Sequence, residues 1–169
     1  MKTTEKYVLF WSGIYSQWYK AEMTINGNKY NTCEQYMMHQ KALLFEDEEV
    51  ANAVMREPNP KAQKALGRKI RNFDDQKWKQ NCMRIVYEGN LAKFSQNPEL
   101  KAALLSTGDK ILVEASPLDF IWGIGMHFDD EGVDNPSNWK GTNLLGQAIT
   151  LVKQELKSLQ VISLAYNPQ

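Results

Sequence analysis

The stretch Thr32-Cys-Glu-Gln-Tyr-Met-Met-His-Gln-Lys-Ala-Leu-Leu-Phe45 predicts an α-helix that also carries two candidate functional residues. Thr32 and Gln35 have the spacing of a capping box, in which two side chains satisfy free N–H groups at a helix start. Residues that recur at helical spacing follow this cap. They are Tyr36, His39, Gln40, Leu43 and Leu44. The pattern therefore predicts a helix that begins directly after Thr32.

Two segments with strand character precede this helix. Residues 7–11 form a short apolar run, which is typical of a strand. Residues 23–25 and 29–30 flank Asn26-Gly27-Asn28, and Asn-Gly tolerates the positive φ angles that tight turns need. We therefore expect a β-hairpin over residues 23–30.

Further helices are predicted after the first one. They cover residues 61–70, 75–94 and 98–105, and a final amphipathic helix runs from Asn143 to about Leu159. Residues 110–114 form a plausible short strand. The segment 116–142 is rich in Gly, Asp, Asn, Pro and Trp. It exceeds the roughly 12–15 residues of an ordinary connection, which favours a functional loop.

These elements predict a mainly α fold, a multihelical single domain of the orthogonal-bundle type with a few short β-strands. The chain has 169 residues, of which 43% are hydrophobic, and this size suits one compact core. We expect the single domain to span 1–169, with its core over about 7–157 and a loosely attached tail over 160–169.

Charge and cysteine content narrow the possible function classes. Twenty basic and twenty acidic residues balance, which argues against broad binding to duplex nucleic acid or anionic membranes. No apolar run reaches about 18 residues, and the N-terminus lacks the pattern of a signal peptide. The two cysteines and two histidines lack metal-ligand spacing. We therefore expect a cytoplasmic protein without metal or cofactor, in which Cys33 and Cys82 are packing residues.

Glu34 and Lys41 form the first candidate pair for catalysis. They are seven residues apart, about two helical turns, and so share a helix face. The positive end of the helix favours an ionised Glu34. Apolar neighbours after Lys41 predict a partly dry amine with a lowered pKa, which suits a nucleophile. The alternative is a common first-turn glutamate beside a solvated lysine.

The segment Glu114–Gly125 forms the second candidate region. Asp119 could act as a general acid or base or hold a ribose hydroxyl, and Trp122 could stack on a base. Gly123 and Gly125 would let the backbone approach a ligand closely. The alternative is a Ser-Pro and Gly-x-Gly turn around a buried tryptophan.

Three other places could bind a nucleotide-like substrate. Asn143 lies in the glycine-rich helix start Trp139–Gly146, where free N–H groups bind phosphate readily. Arg68 could clamp a phosphate. The loop after the first strand offers polar and aromatic side chains for a base pocket, namely Ser12, Gln17 and Trp18. The alternatives are an ordinary capped helix, a solvated basic face and a cap over the core.

In this order the motifs resemble the NADAR (NAD- and ADP-ribose-related) domain, also called the YbiA-like family. The resemblance runs from about residue 7 to 157. The matching segments are Phe10–Ser12, Ser16–Tyr19, Tyr30–Phe45, Lys64–Arg68, Trp78, Gly89–Asn97, Leu104–Gly108, Glu114–Gly125 and Trp139–Gly146. One departure is Lys153, because many members have an arginine near that position.

The resemblance implies a mainly α-helical hydrolase of N-glycosidic bonds. Family activities act on phosphoribosylamino-pyrimidine intermediates of riboflavin synthesis, or remove ADP-ribose from modified guanine. It also implies that Lys41 attacks the anomeric carbon and forms a ring-opened imine. Glu34 and Asp119 would handle protons and ribose hydroxyls, with Asp119 the better proton donor, and Trp122 would shape the pocket.

Two other functions fit the same residues. The aromatic and glycine-rich loops could bind ADP-ribose or a related nucleotide without cleaving it. A structural partner protein could retain a vestigial pocket, although the intact set of polar candidates argues against this. Balanced charge favours a small nucleotide-like substrate over ADP-ribosylated guanine in nucleic acid.

Overall fold

Short strands open the chain in the computed structural model, which describes residues 1–166. They are β1 (Lys2–Thr3), β2 (Tyr7–Phe10), β3 (Met23–Ile25) and β4 (Asn28–Tyr30). Strands β3 and β4 pair antiparallel. Asn26 and Gly27 join them with φ angles of 50° and 79°, the positive values that an Asn-Gly turn supplies. The predicted hairpin is confirmed.

Helices make up most of the regular structure, which confirms the predicted mainly α fold class with a few short strands. They are α1 (Cys33–Leu44), α2 (Glu48–Arg56), α3 (Pro60–Gly67), α4 (Asp75–Gln96), α5 (Pro98–Ser106) and α6 (Leu144–Tyr166). Strand β5 (Ile111–Glu114) and a 3₁₀ turn (Pro136–Asn138) lie between α5 and α6.

Helix α1 begins at the predicted cap. The Gln35 N–H donates to the Thr32 hydroxyl at 3.0 Å. The Gln35 side chain accepts from the Asn31 N–H rather than from Thr32, at 2.8 Å. The Thr32 hydroxyl in turn donates to Gln63 of α3 at 2.7 Å. This cap therefore fixes both where α1 begins and how its first turn meets α3.

Helix α2 has no counterpart among the predicted helices. The chain reverses after α1 through Glu46, whose φ is 57°. Asp47 then caps α2 by accepting from the Val50 N–H at 3.2 Å. A left-handed residue other than glycine leaves little signal in a sequence, so the two helices are hard to separate there.

The chain forms two compact units. One comprises residues 17–97, with the hairpin and helices α1 to α4. Helix α1 packs against α2, α3 and α4 within it. A buried cluster of Ala42, Phe45, Ala51 and Ile70 is flanked by Leu44, Val50 and Trp78. A Cβ on Gly67 would lie 1.9 Å from the Met38 sulfur, so α3 approaches α1 very closely.

The other unit comprises residues 1–16 and the described residues from Pro98 onward. Its sheet has the order β1-β2-β5, with β1 antiparallel and β5 parallel to β2. Helix α6 packs on β5. A buried cluster forms its core around Leu9, Val113, Ala115, Ile124, Met126 and Val133. A single domain with its core over 7–157 stays a prediction.

Helix α6 is longer than predicted, since it continues past Leu159 to Tyr166. Side chains from Ser158 to Tyr166 are all exposed. The expected tail is therefore helical over 160–166, and its last residues, 167–169, lie outside the described residues. Within residues 1–166, no helix combines the length and apolar content needed to cross a bilayer.

Candidate active site

The amine of Lys41 lies among aromatic rings in the unit formed by residues 17–97. Its Nζ is 4.8 Å from the ring centroid of Phe73 and 5.2 Å from that of Trp78. Trp78 is half-buried and belongs to α4, while Phe73 lies just before α4 and is 46% exposed. The amine therefore has apolar surroundings, and the ring faces can stabilise its charged form.

Burial is the main influence on Lys41 and lowers the pKa of its amine. The carboxylate of Glu34 opposes this shift and raises the pKa, whereas the guanidinium of Arg68 lowers it. The predicted direction of the pKa shift at Lys41 is confirmed. A lowered pKa increases the share of neutral amine near pH 7, which is the nucleophilic form.

Glu34 lies in the first turn of α1 and is only 5% exposed. Its backbone N–H donates to the carbonyl of Gln17 at 3.0 Å, which attaches the segment after β2 to the helix start. Gln17 also approaches the same helix with its side chain, whose Nε2 is 3.9 Å from the sulfur of Met37. Glu34 and Lys41 therefore lie on α1, and Gln17 contacts this helix.

Trp18 and Arg68 lie in the same unit and are both exposed. Trp18 is 41% exposed, and the amine of Lys64 is 6.0 Å from its ring centroid. Arg68 follows the last turn of α3. An exposed indole and an exposed guanidinium can contact a base and a phosphate, respectively.

Asp119, in the other unit, organises its own loop. Its Oδ1 accepts hydrogen bonds from the N–H groups of Ile121 at 2.9 Å, Trp122 at 2.7 Å and Gly123 at 3.4 Å. Its backbone carbonyl accepts from Gly125 at 3.0 Å. The carboxylate thus shapes the turn that carries Trp122, and its role in proton transfer stays a prediction.

Asn143 connects the start of α6 to strand β5. Its Oδ1 accepts from the Glu114 N–H at 2.9 Å, and its Nδ2 donates to the Leu112 carbonyl at 3.1 Å. Both ends of the amide are engaged by backbone, at a residue that is 3% exposed. Substrate binding by Asn143 stays a prediction, and these contacts indicate a structural role.

The idea that free N–H groups at the start of α6 bind phosphate is wrong. The N–H groups of residues 142–145 donate to the carbonyls of residues 120–123, at 3.1 Å in each case. Gly141 permits this close approach, because a Cβ there would lie 2.3 Å from the Gly123 carbonyl. Gly123 and Gly125 accordingly lie in a tight loop that caps the helix.

The same unit contains the predicted residue Ser12 and also Lys153, which departs from the family pattern. Ser12 is exposed in the loop after β2, beside Trp11, whose ring meets that of His127 edge-on at 5.5 Å. The amine of Lys153 donates to the Thr107 hydroxyl at 3.0 Å and to the Lys110 carbonyl. Burial lowers its pKa to about 8. Lys153 therefore holds α6 against the segment before β5.

A comparison with family models decides the relationship that the motifs suggest. The model of the NADAR domain matches residues 9–157. This chain belongs to the NADAR family. The match includes both the α1 segment with Glu34 and Lys41 and the loop with Asp119 and Trp122.

Relatives of this NADAR chain include proteins named as N-glycosidases. N-glycosidase R617 of Acanthamoeba polyphaga mimivirus is 42% identical, across 90% of this chain and 97% of that protein. Protein irg-1 of Caenorhabditis elegans is 40% identical across 78% of this chain, which spans only 63% of that protein. The NMR structure of the E. coli protein YbiA matches with a TM-score of 0.77 at 25% identity, over 95% of this chain and 90% of that one.

The structure adds residues to the NADAR site that the sequence reasoning missed. Phe73 lies at the amine of Lys41, although an isolated exposed phenylalanine gives no sequence signal. Trp78 matches the family pattern, but the sequence assigns no role to it. Asn90 bonds the side chain of Gln17 at 2.8 Å and was likewise only a motif position.

Proposed function

We propose that this NADAR protein hydrolyses the C–N bond between a ribosyl group and a nucleobase-like amine. Its relatives with N-glycosidase names support hydrolysis of N-glycosyl bonds. The observation that carries the mechanism is the amine of Lys41, which lies near two aromatic rings, has a lowered pKa and is two helical turns from Glu34. This combination suits a lysine nucleophile.

In the proposed reaction, the neutral Nζ of Lys41 attacks the anomeric carbon. The bond from this carbon to the base nitrogen breaks, and the base takes a proton from an acid, a role that we assign to Asp119. The bond from the anomeric carbon to the ring oxygen then breaks, a proton passes from the Lys41 nitrogen to that oxygen, and an imine links Lys41 to the opened sugar. Water, activated by Glu34, adds to the imine and releases the free sugar, which restores the amine.

We further propose a small substrate that carries phosphate. Exposed Arg68 supplies a guanidinium for a phosphate, and exposed Trp18 supplies an aromatic face for a base. Two substrates meet this description: a phosphoribosylamino-pyrimidine intermediate of riboflavin synthesis, and an ADP-ribosylated guanine.

A cytoplasmic location accords with the two buried thiols of Cys33 and Cys82, which form no disulfide.

A product assay tests this proposal directly. Wild type is incubated with each of the two substrates, and the released base is measured by chromatography. Lys41→Ala should release no base, whereas the matched control Lys77→Ala should behave as wild type. Lys77 is a fair control because its amine also lies over an aromatic ring, that of Phe45 at 5.6 Å. Full base release by Lys41→Ala would contradict the proposed role of Lys41 as the nucleophile.

The alternative function is a module that binds ADP-ribose without cleaving it. Exposed Trp18 and Arg68 favour it, because both can contact a nucleotide without any help from Lys41. Calorimetry with ADP-ribose, together with the product assay, separates the two functions. Binding without base release from either substrate would favour the module.

A further inference from the structure

Asn90 is a fully buried amide in the middle of α4, where an apolar residue would be expected. Its Nδ2 donates two hydrogen bonds. One goes to the backbone carbonyl of Val86 at 2.9 Å, and the other goes to Oε1 of Gln17 at 2.8 Å. A buried polar side chain with defined partners points to a specific purpose.

These bonds determine which way the Gln17 amide faces. The carbonyl of Val86 can only accept, so the NH₂ group of Asn90 must turn toward it. The second hydrogen of that NH₂ group then requires an acceptor, which is Oε1 of Gln17. The NH₂ group of Gln17 consequently faces away from Asn90, and its Nε2 donates a long hydrogen bond to the sulfur of Met37 at 3.9 Å. Because an amide NH₂ group carries two hydrogens, one remains for another acceptor.

Met37 places this NH₂ group beside the candidate catalytic residues. It lies three residues after Glu34 and four before Lys41, and residues at this spacing share one face of a helix. The main chain of Gln17 is held there as well, since its carbonyl accepts from the Glu34 N–H at 3.0 Å. Gln17 is half-buried.

We propose that Asn90 is a positioning residue that fixes the Gln17 amide so that it presents a hydrogen-bond donor to the substrate. The inference rests on the proposed function. A fixed NH₂ group matters most for an oxygen that accepts and cannot donate, because such an oxygen has no partner in the flipped amide. The substrate atom is therefore an acceptor, for which ring, carbonyl and phosphate oxygens are the best candidates.

Gln17→Glu tests the donor directly. Glutamate keeps the shape of glutamine and still offers an acceptor to Asn90, but it replaces the NH₂ group by oxygen. With an ADP-ribosylated guanosine as substrate, KM should rise about threefold to tenfold, as expected for one lost hydrogen bond, while kcat stays within about twofold. An unchanged KM would overturn the inference.

A double-mutant cycle tests whether Asn90 acts through Gln17. Asn90→Leu, Gln17→Met and the double variant are compared by kcat/KM. The double variant should be no slower than Gln17→Met alone, whereas a purely structural role for Asn90 predicts that the two losses multiply. Gln96→Met is the matched control, because the Gln96 side chain bonds the main chain of Thr24, and its KM should equal that of wild type.

An NMR contact makes the orientation testable without turnover, even if Asn90→Leu does not fold. Wild type and Lys41→Ala should both show a nuclear Overhauser contact between the Gln17 NH₂ protons and the Met37 methyl group. Turnover by wild type without this contact overturns the inference and leaves the proposed function intact. The contact without turnover overturns the proposed function, and the role toward substrate fails with it.

Discussion

At the scale of single residues, the surroundings of Lys41 define its chemistry. Burial lowers the pKa of the amine, and Arg68 lowers it further, while Glu34 raises it. The rings of Phe73 and Trp78 stabilise the charged form by cation–π interaction. Burial and Arg68 therefore oppose Glu34 and the two aromatic rings in their effect on the pKa of this amine.

Two substitutions should move the pH profile of kcat/KM in opposite directions. If neutral Lys41 attacks, kcat/KM rises with pH through the pKa of its amine. Glu34→Gln removes a charge that raises this pKa, so the midpoint should fall to lower pH. Arg68→Gln removes a charge that lowers it, so the midpoint should rise. Arg56→Gln, an exposed arginine of the same unit, should leave the midpoint unchanged. Shifts in the same direction for Glu34→Gln and Arg68→Gln would refute this electrostatic account.

Two substitutions distinguish the structural role of Asp119 from its proposed role in proton transfer. Asp119→Asn keeps an oxygen that can accept the three N–H hydrogen bonds now made to Oδ1, so the Tm of this variant should stay within about 2 °C of wild type. Asp119→Ala should lower Tm by several degrees, about 3–5 °C, because those N–H groups lose their partner. If Asp119 donates the proton, Asp119→Asn should release base about 100-fold more slowly than wild type, or slower still. Full activity in the asparagine variant would leave only the structural role.

At the scale of elements, Asp47 connects the start of α2 to the segment between α3 and α4. It caps α2 through the Val50 N–H, and both its oxygens bond Arg71, whose guanidinium is 2.8 Å away. Asp47→Asn should lower Tm by about 5 °C. The control is Glu49→Gln, because Glu49 also contacts Arg71, at 3.3 Å, but is 82% exposed. If Glu49→Gln lowered Tm as much as Asp47→Asn does, the effect would come from charge attraction at the surface rather than from the cap and hydrogen bonds of Asp47.

The Asp47 effect should depend on pH in a defined direction. The hydrogen bonds from Arg71 hold the pKa of the Asp47 carboxyl well below its usual range. Because this pKa is lower in the folded state, the ionised carboxylate stabilises the fold at pH values above the unfolded pKa of about 3.9. This stabilisation is lost progressively as the pH falls below that value. The Tm difference between wild type and Asp47→Asn should therefore be full at pH 5–7 and shrink below about pH 4.

Gly146 shows that α6 depends on its contact with β5 more than on helix propensity. A Cβ at this position would lie 2.1 Å from the backbone carbonyl of Leu112, which cannot move without disturbing the sheet. Gly146→Ala should lower the free energy of unfolding by about 1–3 kcal/mol in chemical denaturation, although alanine favours helices. Gln154→Ala, at an exposed position of the same helix, should change it by less than about 0.5 kcal/mol. A more stable Gly146→Ala would refute the close contact.

At the scale of the whole molecule, local signals explain what the sequence could predict. The Asn26-Gly27 turn and the Thr32 cap depend on neighbouring residues, so both are visible in the chain itself. Helix α2 was missed because Glu46 takes a positive φ that no sequence rule assigns to glutamate. The length of α6 was underestimated because its last turns are exposed and have no core pattern to mark their end.

Contacts between distant residues explain what the sequence could not predict at the candidate site. The N–H groups at the start of α6 are satisfied by carbonyls about twenty residues earlier, which excluded the predicted phosphate site. Asp119 and Asn143 proved to hold backbone in place, and Gln17 is oriented by Asn90 on another helix. The Glu34–Lys41 pair, by contrast, depends on helical spacing alone, and its shared environment follows from that spacing.

We propose that Lys41 forms a covalent imine with the ribosyl group. The most direct measurement is reduction with borohydride during turnover of an ADP-ribosylated guanosine, followed by peptide mass spectrometry. The claim predicts a ribosyl adduct on the peptide that contains Lys41, present in Lys77→Ala and absent in Lys41→Ala. Release of base by wild type without an adduct, or with an adduct on another lysine, would contradict it.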